Sequence, residues 1–136
     1  MRYSYDASFM DYAARSSRYS ATRIVALLRN ALPVDSVLDV GCATGVWLDV
    51  WRNGGVADIH GVDGDYVDRQ MLEIPAESFT PVNLNAAFDL RRQFDLVQSL
   101  EVAEHLEETA SEVYAESIAR HAGRYVPVNP PRARSV

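Results

Sequence analysis

The stretch Val37-Leu38-Asp39-Val40-Gly41-Cys42-Ala43-Thr44-Gly45-Val46-Trp47 decides how this chain is read. Its first half belongs to a short apolar segment with strand character (VDSVLDV, 34–40). Its second half opens a helical pattern from Val46 to about Asn53, closed by Gly54-Gly55. Between them lies a glycine loop, where glycine serves a tight turn and lets a ligand approach the backbone. One acid, Asp39, stands two residues before the first glycine. Another, Asp63, stands 22 residues past Gly41.

The alternation of strand and helix continues on both sides. A second strand is expected over 57–62 (ADIHGV), closed by Asp63-Gly64-Asp65, with a short helix over 67–72. A third over 79–84 (FTPVNL) is weak, and Pro81 places it at a sheet edge. A fourth follows over 94–100 (FDLVQSL). A helix is expected from about Glu107 to His121, with Ala110, Val113, Tyr114, Ser117 and Ile118 on one face and Gly123 at its end. Upstream, Ser20 is a good N-cap for a helix over 21–31. Ile24, Leu27, Leu28 and Ala31 form its apolar stripe, and Pro33 stops it. The first nineteen residues are rich in aromatics (Tyr3, Tyr5, Phe9, Tyr12, Tyr19), with two helical turns over 8–15. Such alternation predicts βαβ units and a parallel sheet, with helices on both faces. The ligand crevice then lies beyond the C-terminal strand ends, where strand order reverses.

Two cofactor classes use a loop of this geometry. The dinucleotide fingerprint G-x-G-x-x-G needs glycine or alanine at 41, 43 and 46, and position 46 is Val. The pattern acidic-x-G-x-G-x-G needs glycines at 41, 43 and 45; Gly41 and Gly45 match and Ala43 departs by one methyl. An acid two residues before the first glycine suits a ligand with an ammonium group better than a pyrophosphate. Asp63, at the end of the next strand, is placed to accept both hydroxyls of a ribose. On these residues the sequence resembles the class I S-adenosylmethionine-dependent methyltransferases. LDVGCATG (38–45) looks like their first motif and GVDGD (61–65) like the acidic end of their second strand.

The resemblance covers residues 20–123. It implies an α/β fold, a Rossmann-like three-layer αβα sandwich with a mostly parallel sheet. It implies S-adenosylmethionine as cofactor, with S-adenosylhomocysteine as product. By the same resemblance Asp39, Gly41, Cys42, Ala43 and Gly45 line the methionine and ribose part, Asp63 holds the ribose, and Gly64 lies near the adenine. Asn83-Leu84 stands where the family often has an Asp-Leu pair that reads the adenine, and Ser99 faces the cofactor after the fourth strand. The Cys42 side chain itself reads as a small packing residue, since no base is adjacent in sequence to activate a thiol.

Residues 99–106 (SLEVAEHL) look like the E-x-x-E-H form seen in small-molecule methyltransferases, some of which hold a divalent metal there. Methyl transfer from a sulfonium is an in-line displacement, so positioning supplies most of the rate. An acceptor hydroxyl or amine also has to lose a proton. His105 titrates near neutral pH and is the candidate base, with Glu104 and Glu101 as the other catalytic candidates. In a helix the three fall on one face. Two carboxylates and an imidazole are also a ligand set for Mg, Mn, Zn or Fe, although no metal site is assigned. Plainer readings are a helix-dipole role for Glu104 and a packed or surface role for His105. Glu107, Glu108, Glu112 and Glu116 read as a solvated face, and Asp65 and Asp68 as a solvated loop. His60 reads as structural, and His121 as a cation favoured at a helix end. Trp47 and Trp51 read as packing between helix and sheet.

At 136 residues, 48% hydrophobic and 24% charged, the chain makes one ordinary domain with a real core. A single cysteine excludes an intramolecular disulfide and makes the cytoplasm the expected home. No apolar run approaches the ~20 residues of a membrane span, and the N-terminus has no signal-peptide core. The net charge is −6, and all thirteen basic residues are arginine. Arg124, Arg132 and Arg134 sit in an acid-free end, so the rest is more acidic still, which argues against nucleic-acid binding. The expected organisation is an aromatic arm (1–19), a cofactor domain (20–123) and a basic, disordered tail (124–136). The resembled family has seven strands, which need on the order of 200 residues. Here four are visible, and a fifth only if 124–128 (RYVPV) pairs, so a C-terminally truncated relative is expected. The leading function is methyl transfer to a small-molecule hydroxyl or amine. The alternatives are a weak or inactive cofactor-binding or scaffold module and, less favoured, a nicotinamide-dinucleotide-binding protein. An unpaired sheet edge favours homo-oligomerisation.

Overall fold

Successive side chains of a strand point to opposite faces. All five residues of β1 (Ser36–Val40) are buried, so both of its faces are covered. That is the burial of a central strand in a parallel sheet. The computed structural model, which describes residues 7–100, 106 and 108–128, shows how. β1 pairs in parallel with β2 (Asp58–Asp63) on one side and with β4 (Phe94–Gln98) on the other. β3 (Phe79–Pro81) adds to β2, and β5 (Ala122–Val128) adds to β4, giving the order β3-β2-β1-β4-β5. Helices α1 (Ala7–Ala31) and α2 (Val46–Asn53) cover one face. There Ala21, Val25, Leu48 and Trp51 pack on Val37, Ile59 and Leu96. Helix α3 (Ser111–His121) covers the other, with Tyr114 and Ile118 on Leu38, Val40, Val62 and Val97. The layers are α/β/α and the five strands all run parallel, as the alternation of elements predicts.

Several local expectations change. Ser20 caps nothing, because α1 runs unbroken through it. The buried face of α1 carries Ala21 and Val25, with Leu28 and Leu32 packed partly beneath; Ile24 and Leu27 are 42% and 69% exposed. Residues 67–72 hold only a single 3₁₀ turn (Arg69–Met71), capped by the Asp68 carboxylate accepting from Gln70 N–H at 2.9 Å. α3 is preceded by a 3₁₀ turn over Glu108–Ala110. α3 ends at His121, as expected, with Ala122 as its C-cap; Gly123 already lies in β5, where a Cβ would sit 3.1 Å from Phe94 O. Residues 124–128 do pair, completing the fifth strand with register shifts against β4. Pro81 does close the edge strand, which is shorter than expected. Among the described residues no helix is long and apolar enough to cross a membrane.

This topology places the site. From β1 the chain moves outward through α2 to β2 and β3, then returns across the sheet to β4 on the far side of β1. Strand order therefore reverses between β1 and β4, and the crevice opens at their C-terminal ends, beside Gly41 and Ser99.

Candidate functional site

The loop after β1 turns through three left-handed residues, Gly41 (φ 84°), Ala43 (φ 50°) and Gly45 (φ 88°). Glycine takes this conformation freely, whereas Ala43 costs about 1–2 kcal/mol. Hydrogen bonds hold the turn. Gly41 N–H and Cys42 N–H donate to Val62 O at 2.8 and 3.1 Å, and Gly45 N–H donates to Cys42 O at 2.9 Å. Ala43 N–H donates to Asp63 Oδ2 at 2.8 Å, a bond that offsets its strain. Glu73 N–H donates to Thr44 O at 2.8 Å, bringing the 64–78 connection over the loop. A Cβ on Gly45 would lie 2.9 Å from Ile74 Cγ1.

These bonds bear on the ligand. A pyrophosphate-binding loop presents its amides outward. Here the amides of Gly41, Cys42, Ala43 and Gly45 are all spent inside the protein, and two carboxylates stand beside them. These four amides are not left to meet a phosphate.

Asp39 lies in one row with Gly61 of β2 and Gln98 of β4. It is 3% exposed, and burial pushes its carboxyl up to about 7; the neighbouring Gln98 amide opposes the shift and the Asp63 charge adds to it. Yet Asp39 Oδ1 and Gln98 Nε2 do not reach hydrogen-bonding geometry with any partner. The other end of the Gln98 amide is fixed, since Trp51 Nε1–H donates to Gln98 Oε1 at 3.0 Å. Among the described residues this acceptor and this donor are the buried side-chain polar atoms left without partners. Each costs about 1–3 kcal/mol in that state.

Cys42 packs, as its sequence reading holds. Its Sγ fills the space left by Gly61, where a Cβ would come within 2.6 Å of it. Burial pushes the thiol far above its ordinary value. Asp63, 4% exposed, accepts from Gly64 N–H at 2.7 Å and from the Tyr66 hydroxyl at Oδ1, besides Ala43 N–H at Oδ2. Asn83 is exposed just beyond β3, its Oδ1 accepting from Asn85 N–H at 3.0 Å, and Leu84 packs partly into the second core cluster. Ser99, 2% exposed, shares a hydrogen bond with the Tyr114 hydroxyl of α3. The structure thus brings Asp39, the loop, Asp63, Gly64, Asn83 and Ser99 to one end of the sheet.

Glu101, Glu104 and His105 lie outside the described residues, between Leu100 and the half-buried Leu106. Among the described residues no group of three His, Cys, Asp or Glu is placed to hold a metal. His60 is structural, bonding Thr80 Oγ1 of β3 at 2.8 Å. His121 does end α3, but wholly buried: it stacks on Phe88, its Nδ1 is bonded to Ser117 O at 2.6 Å, and its Nε2 accepts from Leu90 N–H at 2.9 Å. Sequence reasoning passed over Gln98 and Tyr66. For Gln98 there was a signal, a lone amide inside the apolar run FDLVQSL; for Tyr66 there was none.

The family model described as a methyltransferase domain matches residues 10–126. No curated protein sequence matches the chain. Among solved structures, the chain is similar to SAM-bound CalS10, an amino pentose methyltransferase from Micromonospora echinaspora, at 21% identity and a TM-score of 0.68. The match covers 90% of this chain and 54% of that one. It is similar to the sugar N-methyltransferase KedS8 from a Streptoalloteichus species at 24% identity and a TM-score of 0.64, covering 90% and 53%. The glycopeptide N-methyltransferase MtfA, solved with sinefungin, matches at 16% identity and 0.61, covering 76% and 49%. The chain spans about half the length of these structures, and at such identities they show a shared fold. The family match runs from within α1 to within β5, through the whole sheet and its strand-end loops, and the chain belongs to the methyltransferase-domain family.

Proposed function

We propose that this chain binds S-adenosylmethionine and transfers its methyl group to a small-molecule hydroxyl or amine. The observation that carries the reading is the orphaned pair at the switch point, Asp39 Oδ1 and Gln98 Nε2. A buried acceptor and a buried donor without partners suit a ligand that brings both an ammonium and a carboxylate. The α-amino acid end of S-adenosylmethionine is such a ligand. Asp63, two strand positions away at the end of β2, is the acceptor for the ribose hydroxyls. Gly64, whose backbone is covered by the Tyr66 ring, is the residue beside the adenine, with Asn83 and Leu84 completing that subsite. When bound, the cofactor supplies a methyl group activated by its sulfonium.

The chain's own residues do the rest. Ser36–Val40 and Phe94–Gln98 fix Asp39 and Gln98 in register, and Trp51 holds the Gln98 amide so that its NH₂ end is the one left to donate. Cys42, Gly41, Ala43 and Gly45 shape the turn that brings the ligand against the sheet. Ser99 is held at the exit of β4 by the Tyr114 hydroxyl. His105 takes the acceptor proton, and Glu101 and Glu104 orient the imidazole; this assignment rests on the sequence pattern. The amino-sugar, sugar and glycopeptide acceptors named for the neighbours support a small polar acceptor here.

Titration calorimetry with S-adenosylmethionine and with NAD tests the reading. Saturable binding of the first and none of the second is expected. Binding of NAD alone would overturn it, and binding of neither by the folded chain would leave a scaffold without a cofactor.

A further inference from the structure

Tyr66 is 79% exposed, yet its hydroxyl is tied to one of the most buried carboxylates in the chain. Its ring lies against the Gly64 backbone, where a Cβ would come within 2.0 Å of Cε1. A carboxylate offers about four acceptor directions, two on each oxygen. At Asp63, Gly64 N–H and Tyr66 O–H take both directions on Oδ1, and Ala43 N–H takes one on Oδ2. The two amides are fixed by the turn after β2 and by the glycine loop. A pair of vicinal hydroxyls that grips both oxygens therefore finds one direction open on Oδ2 and none on Oδ1. Tyr66 is the partner that can leave. Its side chain is exposed, and it gives up one hydrogen bond when it swings away.

Building on the cofactor reading above, we propose that Tyr66 gates the ribose subsite, its hydroxyl competing with a ribose hydroxyl for Asp63 Oδ1. Binding of the nucleoside exchanges the tyrosine hydroxyl for a sugar hydroxyl and turns the ring off Gly64. Tyr66 thereby sets how tightly a diol-bearing ligand is held, without itself being needed to hold it. Without a ligand it adds a third donor to Asp63 beside the two backbone amides.

The test compares wild type and Tyr66→Phe by calorimetry with S-adenosylhomocysteine and with 2′,3′-dideoxyadenosine. Removal of the competing hydroxyl is expected to tighten S-adenosylhomocysteine about fivefold, the worth of one ordinary hydrogen bond. The dideoxy ligand, which lacks the vicinal 2′ and 3′ hydroxyls, is expected to gain nothing. Unchanged or weaker binding of S-adenosylhomocysteine by Tyr66→Phe would overturn the gate while leaving the cofactor reading intact. An equal gain for both ligands would also overturn it, since relief of ring crowding would then be the cause. Failure of both proteins to bind either ligand would overturn the cofactor reading, and the gate with it.

Discussion

Asp39 is held by the fold in a state that free chain would not choose. Burial raises its carboxyl from the ordinary 3.8 to about 7, so folding favours the protonated form. Its contribution to stability is present below about pH 4 and lost as pH rises through about 7, because only the unfolded chain gains the free energy of ionisation. Asp39→Asn is therefore expected to melt several degrees above wild type at pH 8, with the difference shrinking toward pH 5. Thermal melts of both proteins at the two pH values check this, and a variant less stable at pH 8 would contradict it. The placement of Asp39 and Asp63 at neighbouring strand ends was legible in the sequence, because each stands at a fixed distance from the glycine loop at the end of an apolar run. Gln98 and Tyr66 were not, because what matters about them is a partner: Trp51 lies 47 positions from Gln98, and Asp63 holds Tyr66 by a bond that no local pattern announces.

At the scale of elements, β1, the loop and α2 were readable to within a residue or two, since Gly41 and Gly45 mark the turn on both sides. α1 was harder. Ile24-Leu27-Leu28-Ala31 and Ala21-Val25-Leu28-Leu32 are both helical stripes, and only docking on α2 selects the second. Arg18 fixes that docking, bonding Asp49 of α2 at 2.9 Å and also Glu73, while Arg52 holds Asp49 from the other side at 2.8 Å. The helix faces give a sharp contrast. Val25→Asp, placing a charge at a site 3% exposed, is expected to cost about 3 kcal/mol or more. Leu27→Asp is expected to stay within about 0.5 kcal/mol of wild type. Urea denaturation separates the two, and a reversed order would restore the face read from the sequence. Gly123 marked the end of α3 at His121 correctly, but its place in β5, close against Phe94 O, depends on the pairing with β4.

At the scale of the whole molecule, the order β3-β2-β1-β4-β5 makes one place where a buried acid, a buried amide and the glycine loop meet. Asp39 and Asp63 share that end of the sheet; Asp63 is held by three donors, while Asp39 Oδ1 is left without a partner. The central claim is that Asp39 receives the ammonium of the cofactor. An ammonium favours the ionised acid, so affinity should follow the ionisation of Asp39. The most direct measurement is the Kd of S-adenosylhomocysteine for wild type and Asp39→Asn, by calorimetry from pH 5.5 to pH 8. Wild type should weaken toward tenfold per unit as pH falls below about 7, and Asp39→Asn should bind weakly with no such slope. Equal affinities with the same flat pH profile would contradict the account.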